Sequence, residues 1–357
     1  MKTRGTGARV RAFAALALLA LMMPSTAGTA AQTDPLAGDA PVPVMFPRDD
    51  GPHNAPIEWW YYTGHLFAAN GDRYGFEYVT FRGRRGLLTG HVAHVAVTDA
   101  ARGEFRYDQR SVGAPRTLPA TPGFDLAVGD WRMRGAGGAD RLRAAVDGYA
   151  FDLRLTTEKP PALHDGDGYV DYGNGTGSYY YSRTRMEVTG SLLVDGEARP
   201  VTGEAWMDHQ WGNFSTFSVG GWDWFSVQLD DGSDLMLYLV KDAAGNPTIV
   251  DGSLIAADGS LTVLEPSDFV VTATAEWTSA RSGATYPAAW TVTVPAADLE
   301  LRLEPTVPDQ ELETTATTEV IYWEGEVTVV GTRGGDPIAG LGYVELTGYA
   351  GPGGGGV

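Results

Sequence analysis

The chain has 357 residues, a net charge of −19 and no cysteine. Charge of that sign is repelled by nucleic acid and by anionic lipid surfaces. The missing cysteines exclude a disulfide framework, a cysteine-linked lipid anchor and a thiol nucleophile. Ten Trp, sixteen Tyr and twelve Phe supply a large aromatic stock, and the length allows two domains with their own cores.

In chain order, Lys2, Arg4, Arg9 and Arg11 precede an apolar run from Ala12 to Met23, then Pro24 and small residues. The run is too short for a bilayer span of about 20 residues, and the pattern reads as a secretory signal over 1–31. Its removal takes away four basic residues and no acidic one, so the mature chain is more acidic still. A secreted or periplasmic location follows. Residues 32–50, rich in Pro, Ala and Asp, read as a linker. From Glu58 onward strand signals dominate. Y-G-F-E-Y-V-T-F-R (Tyr74–Arg82) alternates after an A-N-G-D turn, and H-V-A-H-V-A-V-T, F-D-L-R-L-T, W-D-W-F-S-V-Q-L and W-E-G-E-V-T-V-V-G follow. Helical periodicity is nearly absent, so the fold class is all-β, of barrels or sandwiches.

An internal repeat divides the chain. Pro200-Val201-Thr202-Gly203-Glu204-Ala205-Trp206-Met207-Asp208 aligns with Pro337-Ile338-Ala339-Gly340-Leu341-Gly342-Tyr343-Val344-Glu345. Two similar barrels are expected, at 51–215 and 216–350, followed by a flexible Gly-rich tail at 351–357.

Five segments in order carry a family resemblance: I-E-W-W-Y-Y-T-G-H-L, Y-G-F-E-Y-V-T-F-R, Y-Y-Y-S-R-T-R, G-E-A-W-M-D-H-Q-W-G and G-W-D-W-F-S-V-Q-L-D-D-G. Together they resemble the AttH/CrtC family of AttH-like secreted proteins and carotenoid 1,2-hydratases. The resemblance implies two tandem lipocalin-like (calycin) antiparallel β-barrels. Its hydratases add water to a terminal alkene without a redox cofactor, whereas other members are encoded beside ABC-transporter genes. A hydrolase reading has little support, because no G-x-S-x-G elbow occurs.

Alkene hydration needs a protonated acid, a stabilised carbocation and a directed water. A carboxyl in an aromatic pocket supplies the acid by desolvation, and Trp and Tyr faces stabilise the cation by on the order of 2 kcal/mol. The resemblance points to His209 and Trp211. If 205–211 is extended, Ala205, Met207, His209 and Trp211 share one face and Trp206, Asp208 and Gln210 the other. A pair of His209 with Trp211 is therefore favoured over a dyad of His209 with Asp208. The second repeat copy continues Leu346-Thr347-Gly348-Tyr349, without that histidine and tryptophan. The resemblance also implies a Tyr and an Asp on the strand after W-x-W. Here Tyr238 is present but 235–240 holds no carboxylate, and Asp230, Asp231 and Asp234 are assigned to a solvated turn. The catalytic candidates are His209, Trp211, Asp208 and Tyr238.

Glu58, Trp60 and Tyr62 fall on one strand face. They are read as ligand-binding beside Trp206, Trp222 and Trp224, with an arginine partner for Glu58 as the competing assignment. Glu77 is expected in a buried ion pair. The histidines are scattered in sequence, so neither a metal nor another cofactor is expected. The expected protein binds an apolar isoprenoid or lipid-like molecule and hydrates it as a hydro-lyase. The alternative is a non-catalytic carrier or accessory of an ABC-type transporter. No nucleic-acid partner and at most peripheral membrane contact are expected.

Overall fold

A computed structural model describes residues 41–351, apart from residue 174 and residues 214–219. The expected signal segment and nearly all of the Gly-rich tail lie outside the described residues. The first sheet comprises β1 (Ile57–Ala68), β2 (Arg73–Arg85), β3 (Leu88–Asp99), β4 (Glu104–Gly113), β5 (Phe124–Val128) and β6 (Trp131–Ala136). It continues with β7 (Ala139–Val146), β8 (Tyr149–Thr157), β9 (Ala162–Leu163), β10 (Tyr169–Gly173), β11 (Thr176–Val194) and β12 (Glu197–Asn213). The second holds β13 (Trp222–Leu229), β14 (Asp234–Lys241), β15 (Pro247–Ile255), β16 (Leu261–Leu264) and β17 (Val270–Thr278). Its remaining strands are β18 (Thr285–Val294), β19 (Leu299–Pro305), β20 (Glu311–Glu313), β21 (Ile321–Arg333) and β22 (Asp336–Thr347).

The fold is all-β, two curled barrel-like antiparallel sheets in tandem. The first runs β4-β3-β2-β1-β12-β11-β8-β7-β6-β5, and the second β16-β15-β14-β13-β22-β21-β19-β18-β17. In each, the first strand pairs with the last, so the repeat strands β12 and β22 lie in the middle of their sheets beside β1 and β13. Curling brings the ends of the first sheet together, where the Arg110 guanidinium of β4 lies 4.1 Å from the ring centre of Trp131 on β6.

Alternation along these long strands sends one face inward and the other outward. The inward faces build two separate cores, one around Trp60, Phe76, Trp131 and Met186, the other around Phe225, Trp290, Trp323 and Val344. The outward faces of β1, β2, β11 and β12 are equally apolar in their central parts. They pack against the outward faces of β13, β14, β21 and β22 in a third cluster holding Tyr61, Val79, Tyr180, Trp206, Trp224, Tyr238 and Tyr343. A strand buried on both faces reads as a continuous apolar run, which is why E-W-W-Y-Y and D-L-M-L-Y-L-V carry so few polar residues. At Gly75 a Cβ would sit 2.4 Å from the Tyr343 hydroxyl, so only glycine lets the sheets approach here.

Ion pairs pin the edges of this junction. His65 Nδ1 and Arg73 Nε lie 3.0 and 2.9 Å from Glu326 Oε1. Asp234, expected in a solvated turn, is instead fully buried and bound by Lys159 Nζ at 2.5 Å and Arg185 Nη2 at 2.8 Å. The correction has a geometric cause: the β13–β14 turn points back into the first sheet. A register shift in β11 between Arg183 and Met186 turns Arg185 towards it.

Candidate active site

The junction between the two sheets holds a cavity of about 80 Å³. Its aromatic walls come from Trp59, Tyr61, Phe81 and Tyr180 of the first sheet and Trp222, Trp224, Tyr238 and Tyr322 of the second. Four carboxyl groups, those of Glu77, Asp208, Glu324 and Glu345, line it as well. Strand register explains their convergence. Tyr61 pairs with Asp208, which pairs with Ser182, while Trp224 pairs with Glu345, which pairs with Glu324. Asp208 and Glu345 are equivalent positions of the sequence repeat, so the pseudo-symmetric packing of the sheets places the two copies' acids in one cavity.

The two rows serve each other across the junction. The Tyr61 hydroxyl donates to Glu324 Oε1 at 2.7 Å, and Trp224 Nε1 donates to the Tyr180 hydroxyl at 2.9 Å. Tyr180 in turn donates to Asp208 Oδ2 at 2.6 Å. Asp208 also accepts from Trp206 Nε1 at 2.6 Å and from the Ser182 hydroxyl. Behind Ser182 lies His164, its Nε2 at 2.6 Å from the serine Oγ and its Nδ1 at 3.0 Å from Ser253 Oγ. With the Ser182 proton committed to Asp208, the serine oxygen accepts from His164 Nε2–H. Burial lowers His164 to about 3, so the ring is neutral.

Electrostatics sets these acids apart from ordinary carboxylates. Burial pushes Asp208 up to about 6 against the pull of its three donors. Glu345, with the Trp222 indole 2.9 Å from its Oε2, is raised to about 7 by burial and by the charge of Asp208. Glu324 and Glu77 rise well above the ordinary range, by burial and then by the charge of Glu345. Like charges directly opposed on one sheet face are destabilising, and Glu324 and Glu345 are such a pair, so the arrangement favours protons on them at neutral pH. Oε2 of Glu324 and both oxygens of Glu77 have no partner in hydrogen-bonding geometry, the Val79 amide lying near Glu77. The expected ion pair for Glu77 is thus corrected, because the residues facing it across the junction are other acids and aromatics. His94 makes hydrogen bonds to the Tyr322 hydroxyl at 2.9 Å and Thr317 Oγ1 at 3.1 Å, and burial lowers it to about 3.

The sequence candidates divide between two places. Asp208, Trp222, Trp224 and Tyr238 line the cavity, and Trp206 stands behind Asp208. His209, Trp211, Glu58, Trp60 and Tyr62 lie on the opposite strand face, inside the first barrel. There His209 Nε2 is 2.9 Å and His53 Nδ1 2.7 Å from the same Glu58 oxygen. Trp60 stacks on His209 with ring centres 4.5 Å apart, and Trp211 stacks on His53 at 3.8 Å. Tyr62 donates to Asp140 Oδ2 at 2.9 Å. Glu58 therefore pairs with two histidines and not with an arginine. Burial alone would raise Glu58, but its hydrogen bonds to His209 and His53 outweigh that and hold it below the ordinary range. Residues 48–50, expected in a linker, form a 3-10 turn whose Asp49 and Asp50 are buried against this cluster. Sequence reasoning missed Glu324, Glu345, Tyr61 and Tyr180. The repeat alignment of Asp208 with Glu345 was the signal that could have found them.

Comparison with known proteins places the chain. The AttH-like family model matches residues 37–349. An AttH protein of Nitrosomonas europaea is 34% identical with a TM-score of 0.78, covering 86% of this chain and 98% of that one. Kievitone hydratase of Nectria haematococca shares the fold at 20% identity and a TM-score of 0.67, over 85% of this chain and 93% of that one. The dehydratase asqC of Emericella nidulans is 24% identical over 214 residues, 58% of this chain and 60% of the relative. The match thus spans less than two thirds of that protein. With the tandem fold, the repeat and the family model in agreement, the chain belongs to the AttH-like family.

Proposed function

We propose that the inter-sheet cavity is the active site of a hydro-lyase that adds water to, or removes it from, an apolar alkene by general acid–base catalysis. The observation that carries this reading is the set of buried carboxyl groups raised in an aromatic enclosure between the sheets. A carboxylic acid that keeps its proton near neutral pH can protonate an alkene carbon or a leaving hydroxyl. Glu345 is assigned that role, with Glu324 opposite it. Protonation turns the C=C bond into a C–H bond and a neighbouring carbocation. The faces of Trp222, Trp224 and Tyr238 stabilise that charge by cation–π attraction. Water then forms the C–O bond, and its proton passes to Asp208, whose lower value of about 6 suits it to be the base. Dehydration runs the same steps in reverse. A cavity of this size takes the reacting end of an isoprenoid chain or a single ring.

A carrier reading of the same cavity, for an exported protein serving an ABC-type transporter, is supported only by its apolar walls. The test is isotopic. Protein incubated with terminal trisubstituted isoprenoid alkenes, and with the matching tertiary alcohols, in ¹⁸O water is expected to give ¹⁸O-labelled alcohol or free alkene. Glu345→Gln and Asp208→Asn should each slow both by about 10²- to 10⁴-fold while remaining folded. Wild type without turnover but with a co-purified lipid would transfer the cavity to the carrier reading.

A further inference from the structure

The His53–Glu58–His209 cluster has no part in that chemistry, and its geometry resembles a metal site. The three ligand-type atoms, His53 Nδ1, Glu58 Oε1 and His209 Nε2, lie within 4.8 Å of one another. Glu58 and His209 are fully buried, while the His53 side chain is 21% exposed and leaves one side open. The outer nitrogen of each ring is held as ligating histidines are usually held, by a hydrogen-bonding partner that fixes ring and tautomer. His53 Nε2 lies 3.3 Å from Asp49 Oδ1, itself gripped by the Arg48 guanidinium. His209 Nδ1 lies 3.3 Å from the Tyr181 hydroxyl, which donates its one proton to Asp50 Oδ1 at 3.0 Å. That hydroxyl can then only accept from His209, so Nδ1 carries the ring proton. That leaves Nε2, 2.9 Å from Glu58 Oε1, as the nitrogen that would ligate an ion shared with the carboxylate.

We propose that His53, Glu58 and His209 form a three-ligand site for a divalent transition-metal ion. Two imidazoles and one carboxylate are the donor set of many zinc sites, with the fourth position left for water on the open side of His53. Bonds of about 2.0–2.1 Å in tetrahedral geometry hold ligand atoms roughly 3.3 Å apart. The two Glu58–histidine contacts, 2.7 and 2.9 Å, must therefore open by about half an ångström. His53 can give that distance because it lies on the segment before β1 and not within a strand. Trp60 and Trp211, stacked on the two rings, keep competing water from the buried side. A bound ion would fasten residues 48–53 to the barrel.

The full chain, stripped with a chelator and then dialysed against micromolar zinc, is expected to retain one equivalent above background by elemental mass spectrometry. His53→Ala, at the partly exposed ligand, and Glu58→Gln should each lose it while keeping the wild-type circular dichroism. Zinc should raise the thermal midpoint of wild type and leave those of the variants unchanged. Wild type that retains no more zinc than His53→Ala overturns the proposal and leaves a shared proton in the gap. Should a variant fail to fold, cobalt(II) added to the wild type decides. Intense visible bands of a four-coordinate centre support the site, and the pale spectrum of the hydrated ion refutes it.

Discussion

Replacing Glu345 by Gln should stabilise the protein at alkaline pH while destroying the proposed acid. The reasoning rests on where the carboxyl sits. In the folded chain it titrates at about 7 instead of the ordinary 4.5, because burial and the Asp208 charge disfavour its ionised form. A group whose folded value lies above its unfolded value contributes most to stability below the unfolded value. That contribution is lost as pH rises through the folded value. Between pH 4.5 and 7 the wild type therefore loses about 3 kcal/mol from this residue alone. Gln does not titrate and keeps an oxygen for the Trp222 indole. The two proteins should be nearly equal in stability at pH 4. At pH 8 the variant should be the more stable by about 3 kcal/mol, which moves a urea midpoint by about 1 M. Urea titrations followed by tryptophan fluorescence at both pH values measure the difference. A gap of equal size at the two pH values would refute a raised Glu345 and, with it, the acid assigned to the cavity.

The pH profile of turnover should be bell-shaped, with its plateau between about 6 and about 7. The base Asp208 must be ionised and the acid Glu345 protonated, so rate falls below the first value and above the second. Steady-state rates from pH 4.5 to 9 test this, and a profile still rising at pH 9 contradicts it. Asp208→Asn should lower kcat by about 10²- to 10⁴-fold with little change in thermal midpoint. Equal loss of folding and rate would make Asp208 structural. Asp234→Ala leaves the buried Lys159 ammonium without its carboxylate, while Arg185 keeps Glu204, and should cost about 3–5 kcal/mol in chemical denaturation; a cost below about 1 kcal/mol would show that water reaches the lysine.

Much of the fold was legible because period-2 alternation and turn spacing are local signals. The alternation of 205–211 holds residue by residue, with Met207 and Trp211 in the first core and Trp206 in the junction cluster. The alternation of 57–62 holds in the same way. What it could not tell is which face carries the ligand space, since both faces of β1 and β12 are buried. The missing information is long-range. Glu77 has its environment defined by Glu345 and Tyr322, whose strands follow some 250 residues later. Glu58 has its partners fixed by a barrel closure that brings in His53 and His209. A carboxylate in an apolar run was read as ion-paired because isolated buried charge is costly. Here the cost is met by protonation, an answer visible only once four acids are seen to converge.

The repeat offers a physical account of why such a site exists at the junction. Each sheet carries, on the outward face of its last strand, one acid, Asp208 or Glu345, surrounded by aromatics. On an isolated sheet that face would meet water, and the acid would titrate as an ordinary carboxyl. Packing the two outward faces together removes the water, which raises both acids, and sets Glu345 in the field of Asp208. The asymmetry between the copies then sets the two acids apart. Asp208 collects three hydrogen-bond donors and is held at about 6, whereas Glu345 keeps only the Trp222 indole and, raised by burial and by the charge of Asp208, lies at about 7. Equivalent positions of the repeat thus hold two carboxyl groups with different values because each copy retains different donors. Removing the Tyr180 hydroxyl as Tyr180→Phe should take one donor from Asp208, raise the acidic limb of the pH profile towards that of Glu345, and narrow the plateau between them. An acidic limb that does not move would show that the donors around Asp208 do not set its role.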